Sequence, residues 1–199
     1  MLDAVVEVVA SNGYGALTIE QVVVASGVSR RTFYDHFANK EDVFLAAYDQ
    51  IVDRLLEVVD VAYNEGETWL EQLQRGLFTF LAFLGREPAV AHVCVVDILA
   101  AGPTALARRT ESMARFRGFF VPDPSVRSVE VIPPLAADAA IGGAYEVVYS
   151  QILAGNAARL PELFPDLLHG LLVPFVGPKT AAEQYEAART LPRPDPPVS

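Results

Sequence analysis

SRRTFYDHFANKEDVF, residues 29–44, sets two arginines ahead of Phe33, Tyr34, His36 and Phe37, then pauses at Asn39 before Lys40. Ser29 is a helix N-cap, because its hydroxyl can accept a backbone N–H that the first turn leaves free; Val28 before it is placed as a hydrophobic staple. A helix of about two turns should follow. Phe33 and Phe37 lie four apart and share a face toward a core. Tyr34 and His36 are then left outside, with Arg30 and Arg31 at the N-terminal end.

Working upstream, Thr18 opens an earlier helix, and Gln21 three residues on completes a capping box. Ile19, Val22 and Val23 supply its inner face, and Gly27 makes the turn. Residues 2–11 form a first helix with Leu2, Val5, Val6 and Val9 inward, stopped by Gly13 and Gly15. A helix, a short glycine-containing turn and a second short helix is the helix-turn-helix pattern. Such a helix presents its N-terminal residues to the major groove. Arg30 and Arg31 there can each bridge O6 and N7 of a guanine, while Tyr34 and His36 can donate to phosphate oxygens. Helix N-termini, including the one at Lys40, add backbone donors for phosphate.

The ordered run GYGALTIEQVVVASGVSRRTFYDHFANKEDVF, residues 13–44, resembles the DNA-binding domain of the TetR family of bacterial transcriptional regulators. By that resemblance, Thr18, Ser29, Tyr34, His36 and Lys40 contact the DNA backbone, and Arg30, Arg31 and Thr32 lie at or near base edges. Asp35 stands where many relatives carry a tyrosine. The likeness covers about the first 50 residues directly; the remainder matches as a helical ligand-binding and dimerisation domain of suitable length.

Beyond residue 44, apolar residues recur at three and four, the helical spacing. Helices are expected over 40–63, 67–84, 88–101, 104–119, 134–154, 160–176 (kinked or ended by Pro174) and 179–189. Val126 to Ile132 alternate, but too briefly to found a sheet. The resulting expectation is an all-α chain of nine to ten helices: a three-helix helix-turn-helix DNA-binding domain (1–45), a helical ligand-binding and dimerisation domain (46–189), and a proline-rich tail (190–199), extended or disordered.

Composition narrows the function classes. The chain has 199 residues, 52% hydrophobic, with a net charge of −10. That charge argues against a general nucleic-acid coat, whose affinity comes from neutralised phosphates. The positive charge is concentrated: residues 29–40 hold Arg30, Arg31 and Lys40 against Asp35 alone. No apolar run reaches the roughly 18–20 residues of a membrane span. Cys94 is the single cysteine, which excludes an internal disulfide framework and fits a reducing cytoplasm. His36, His92 and His169 form no metal pair, and no nucleophile or phosphate-loop motif is present, so neither an enzyme, a metal site nor a cofactor is expected.

Two further groups of residues are candidates. Trp69, Phe80, Phe83, Phe116, Tyr145 and Tyr149, with Phe78 and Phe119, offer walls for a small-molecule pocket on the fifth to eighth helices. His92, Asp97 and Glu146 are its polar anchors. Core packing is the competing use of each aromatic. Ala140, Gly143, Ala144 and Val147 on the eighth helix, with Leu163, Leu167, Leu168, Leu171 and Leu172 on the ninth, form a candidate homodimer face; an intrachain core is the alternative. Arg108, Arg109, Arg115 and Arg117 read as a solvated face paired with acids. The function expected is a repressor, released from a palindromic double-stranded operator by a small apolar or amphipathic effector. The alternative is a helical protein acting through its pocket or a protein partner without specific DNA binding.

Overall fold

The computed structural model describes residues 1–121 and 132–190, and among them every regular element is helical. The alternating run near Val126 and the proline-rich tail from Leu191 lie outside the described residues, apart from Ile132 at the end of that run.

Helices α1 (Leu2–Asn12), α2 (Ile19–Ser26) and α3 (Arg30–His36) form the N-terminal unit. Local chemistry sets their limits. Thr18 Oγ1 accepts the Gln21 N–H at 3.3 Å while Gln21 Oε1 accepts the Thr18 N–H at 2.9 Å, so the expected capping box is present. Gly27 turns the chain with φ +68°, a left-handed conformation costly for any residue with a Cβ. Ser29 Oγ then accepts the Thr32 N–H at 3.0 Å to start α3. Val5, Val9, Val22 and Phe33 are fully buried together with Val43 and Phe44 of the next helix. Each such burial is worth about 1.5–3 kcal/mol, which makes this small unit self-consistent.

That next helix, α4 (Lys40–Asn64), is 25 residues long, or about 37 Å at 1.5 Å per residue. Asn39 caps it by accepting the Asp42 N–H, and Asp42 accepts the Ala38 N–H in return, both at 3.0 Å. Its first turns bury Val43 and Phe44, while Ile51, Val52, Leu55 and Val59 are buried farther along.

The remaining helices surround the far half of α4. They are α5 (Trp69–Arg86), α6 (Pro88–Ala100), α7 (Pro103–Phe116), α8 (Ala136–Leu153) and α9 (Phe164–Thr190), which makes nine among the described residues. A 3-10 turn, Arg117–Phe120, follows α7, and a second, Ala157–Leu163, precedes α9. Helix α5 runs two residues past the expected end at 84, so Gly85 lies inside it. A Cβ there would sit 3.0 Å from Pro161, so the glycine admits the second 3-10 turn at close range. In α9 the expected kink at Pro174 is instead a break at Gly177, whose φ of +77° is open to glycine. The break parts the segment where two helices are expected, one ending near 176 and the next starting at 179.

Helix α6 is not uniform. Pro88 starts it as expected, but Val93–Asp97 is a π-helical turn. Such bulges are rare and redirect the side chains of one turn. This turn packs on α1, α4 and α8, so it touches both the N-terminal unit and the larger helical body.

Candidate nucleic-acid interface and effector cavity

On α3 the sequence pattern resolves into two faces. Phe33 is fully buried, and its ring meets Phe37 at 5.8 Å between centroids. Arg30, Arg31, Tyr34, Asp35 and His36 are exposed, and Tyr34 retains 53% of its surface. Arg30 lies 3.8 Å from Glu20, an open ion pair of little energy. The Thr32 and Ser29 hydroxyls are 2.8 Å apart and occupied with the cap, as is Thr18 on α2. Lys40 differs from expectation: its ammonium donates to the Leu17 carbonyl at 3.1 Å and lies 4.9 Å from the Tyr14 ring centroid. It therefore ties the start of α4 to the loop before α2, with two N–H donors left over.

The second feature is a cavity of about 100 Å³ inside the larger helical body. Its walls come from α4 (Val59, Tyr63), α5 (Leu73, Gly76, Leu77, Phe80), α6 (Val95), α7 (Met113, Phe116), the 3-10 turn (Phe119, Phe120), α8 (Ile141, Ala144, Tyr145, Val148) and α9 (Leu171). Phe80 and Phe116 meet edge to face at 5.7 Å. The lining is almost wholly apolar, and the hydroxyls of its two tyrosines are satisfied. The Tyr145 hydroxyl donates to the Val95 carbonyl at 2.6 Å, and the Tyr63 hydroxyl to the Phe119 carbonyl at 3.3 Å. Burial pushes the Tyr145 phenol above its ordinary pKa, against the neighbouring Arg109, which pulls it down.

Of the expected pocket residues, Phe80, Phe116, Tyr145 and also Phe119 line this cavity, and the others do not. Trp69 is 4% exposed; its indole N–H donates to the Phe119 carbonyl at 3.0 Å and holds the 3-10 turn. Phe83 lies under the Arg54 guanidinium at 4.9 Å, Tyr149 packs on the core outside the cavity, and Glu146 is exposed. Phe78 packs edge to face on Phe164.

His92 and Asp97 are brought together, but not as pocket anchors. Asp97 is 5% exposed, its Oδ2 lies 2.7 Å from His92 Nδ1, and its Oδ1 accepts the Tyr14 N–H at 3.0 Å. The pair sits where the π-helical turn meets the N-terminal unit. Val95, two residues before Asp97, is on the cavity wall. Neither the π turn nor this junction was read from the sequence. The one available signal was an acid closing the apolar run VCVVD, a position that burial makes costly unless the carboxylate is paired.

The candidate dimer face also divides. Leu167, Leu168, Leu171 and Leu172 are buried within the single chain, because α9 turns that side toward α5 and α8. Ala144 and Leu171 line the cavity. What remains outward is a stripe on α8: Gly143 and Val147 are exposed and Ala140 partly so, with Leu163 half-buried near the start of α9. Val147 keeps 40% and Leu153 58% of their surfaces.

No single helix among the described residues is long and apolar enough to cross a membrane. No group of three or more His, Cys, Asp or Glu side chains among them is placed to hold a metal ion.

Residues 1–47 match the profile of the family described as bacterial regulatory proteins, tetR family. The fatty acid metabolism regulator protein of Bacillus subtilis (strain 168) is 26% identical over 98 residues, covering 49% of this chain and 50% of that protein. The chain spans half the length, or less, of the curated relatives it matches. Two solved structures share the fold. The fatty acid degradation regulator FadR of Bacillus halodurans has a TM-score of 0.75 at 21% identity, covering 87% of this chain and 95% of its own. FadR of Bacillus subtilis, in complex with stearoyl-CoA, has a TM-score of 0.72 at 20% identity, covering 88% and 96%. With its ordered motif carried on the helix-turn-helix described above, the N-terminal unit of the chain, residues 1–47, is similar to the tetR family of bacterial regulatory proteins.

Proposed function

We propose that the protein is a homodimeric transcriptional repressor that leaves a palindromic operator when a small amphipathic molecule enters its cavity. In this reading residues 1–45 bind DNA and residues 46–189 bind the effector and the second subunit. Arg30 and Arg31 read base edges, with Thr32 close to them. Tyr34, His36, Thr18, Ser29 and the free donors of Lys40 meet phosphates. The outward stripe of α8, centred on Gly143 and Val147, packs against its copy beside the start of α9. A twofold pair places two reading helices about one DNA turn (~34–36 Å) apart.

One observation carries the coupling: the same π-helical turn puts Val95 on the cavity wall and Asp97 on the Tyr14 backbone. The cavity of about 100 Å³ is small beside the roughly 300–1,000 Å³ of ordinary small-molecule sites. A longer apolar chain enters only by moving the walls, Val95 among them. The stearoyl-CoA in the Bacillus subtilis FadR structure is a ligand of this kind, and an acyl chain is the effector class the apolar walls favour here. An effector that prefers the displaced wall shifts α1 and α4 relative to the reading helix. Operator affinity then falls by that differential affinity and no more.

The test begins with selection of binding duplexes from a random pool at low salt. Titration of the selected duplex with Arg30→Ala and Tyr34→Ala follows. Loss of a bidentate guanine contact predicts roughly 5- to 150-fold weaker binding for Arg30→Ala. Unchanged affinity in both variants would sink the assignment of α3. The net charge of −10 favours a second reading, in which the cavity acts without DNA; absence of any salt-dependent duplex binding would select it.

A further inference from the structure

Acidic residues outnumber basic ones in this chain, 25 to 15, so a cation lacking a carboxylate is a specific placement. Three of the four arginines near the end of α7 follow the average. Arg108 pairs with Asp49, Arg115 with Asp53 and Arg117 with Asp138. Arg109 has no ion pair among the described residues. Its guanidinium carbon lies 3.9 Å from the centroid of the Tyr145 ring, and its Nε is buried without a hydrogen-bond partner.

Its position on the helix relates this cation to the cavity. Arg109, Met113 and Phe116 follow the i, i+4, i+7 spacing that puts them on one face of α7. Met113 and Phe116 line the cavity, and so does Tyr145, the ring Arg109 covers. An almost wholly apolar interior can stabilise a hydrocarbon chain but cannot neutralise an anion. Among the described residues, the guanidinium at position 109 is a cation set beside those walls without an ion pair. Its planar fork suits a carboxylate or phosphate, and a buried Nε without a partner is a donor awaiting an acceptor.

We infer that Arg109 binds the anionic end of an amphipathic effector whose apolar chain fills the cavity. This rests on the reading of the cavity as the effector site, and it narrows the ligand class from apolar or amphipathic to a chain that carries an anion. The anion is a terminal carboxylate or a phosphate group. Stacking on Tyr145 holds the guanidinium in place before the ligand arrives, so little side-chain freedom is lost on binding.

The experiment is calorimetric titration of the full chain with decanoate, decyl phosphate and decan-1-ol, which share one chain and differ in the head. Charge-assisted hydrogen bonds predict about 10- to 100-fold tighter binding of at least one anion than of the alcohol. The preferred anion identifies the head. Arg109→Gln brings that anion down to the affinity of decanol, and Arg109→Lys restores part of the difference, because charge without the fork remains. Equal binding of all three probes by the unaltered protein overturns the inference, as does binding of none. So does a loss in Arg109→Gln that is the same for alcohol and anions, which makes Arg109 a packing residue for Tyr145. Operator release is read separately on the unaltered protein. Anion binding through Arg109 without operator release refutes the regulatory reading and leaves the ligand assignment standing.

Discussion

Replacing Asp97 by alanine tests whether the π-helical turn transmits the effector signal. The carboxylate is 5% exposed and bridges two elements, with Oδ1 accepting from Tyr14 N–H at 3.0 Å and Oδ2 2.7 Å from His92 Nδ1. A hydrogen bond to a charged acceptor contributes about 1.5–3 kcal/mol, and a stranded buried N–H costs about 1–3 kcal/mol. Some water will reach Tyr14, which is only half-buried, so a net loss of about 2–4 kcal/mol is expected. For a chain of this length that lowers the thermal midpoint by about 5–15 °C. Stability alone does not separate a strut from a transmitter. The separating quantity is the ratio of operator Kd with and without a saturating effector, read by fluorescence anisotropy on labelled duplex. Allosteric couplings amount to about 1–3 kcal/mol, or a 5- to 150-fold ratio. If Asp97 carries the link, the ratio falls toward one in Asp97→Ala at a temperature where the variant remains folded. Asp97→Asn, which keeps an acceptor for Tyr14, retains an intermediate ratio. A full ratio in Asp97→Ala, together with the lowered midpoint, would refute the reasoning and assign coupling to α4 alone.

Two other outcomes are expected. Burial pushes the Tyr48 phenol up to about 12, partly opposed by Ser112 and Arg109. The unfolded phenol therefore ionises first, and stability falls between about pH 10 and 12 by at most about 3 kcal/mol; urea midpoints should drop less steeply across that window in Tyr48→Phe, and an unchanged slope would contradict the assignment. Val147→Arg places a charge on the exposed stripe of α8, so sedimentation equilibrium should give a monomer with unchanged helix content; a persisting dimer would move the interface elsewhere.

What could be read from the chain alone was the chemistry that acts within a few residues. Thr18 with Gln21 and Ser29 with Thr32 close hydrogen bonds three positions apart, so residue identity was enough to place both helix starts. Phe33 and Phe37 obeyed the four-residue spacing for the same reason. The π-helical turn was out of reach. VCVVD is apolar on every side but one, and a run buried nearly all round has no periodicity to betray an extra residue. The Asp97 link was out of reach too, since Tyr14 lies 83 residues away. The leucines of α9 show a different limit. A face that packs on α8 of its own chain and a face that packs on a second chain are both made of leucine, and only position tells them apart. Arg109 was grouped with its charged neighbours for a similar reason: a cation on a solvated face and one laid over Tyr145 have the same sequence signature.

On the proposed function, charge explains why the reading helix would need a second copy. The pair between Arg30 and Glu20 is exposed at both ends and 3.8 Å long, so it is worth about 0–1 kcal/mol and yields readily to a phosphate or a guanine. The net charge of −10 opposes approach to DNA, yet screening limits that repulsion. At physiological salt the Debye length is about 8 Å, so exposed acids much farther than that from the operator are largely screened. On that reading the DNA meets a small cationic tip, Arg30 and Arg31 with Asp35 and Glu20 beside them. So few phosphate contacts supply little non-specific affinity and a shallow salt dependence. Binding must come from joining two tips rigidly, and rigid joining makes the complex sensitive to their separation. A displacement at Val95 that reaches α1 through Asp97 need not unfold or screen anything to release the DNA. It need only change the spacing of two weak heads.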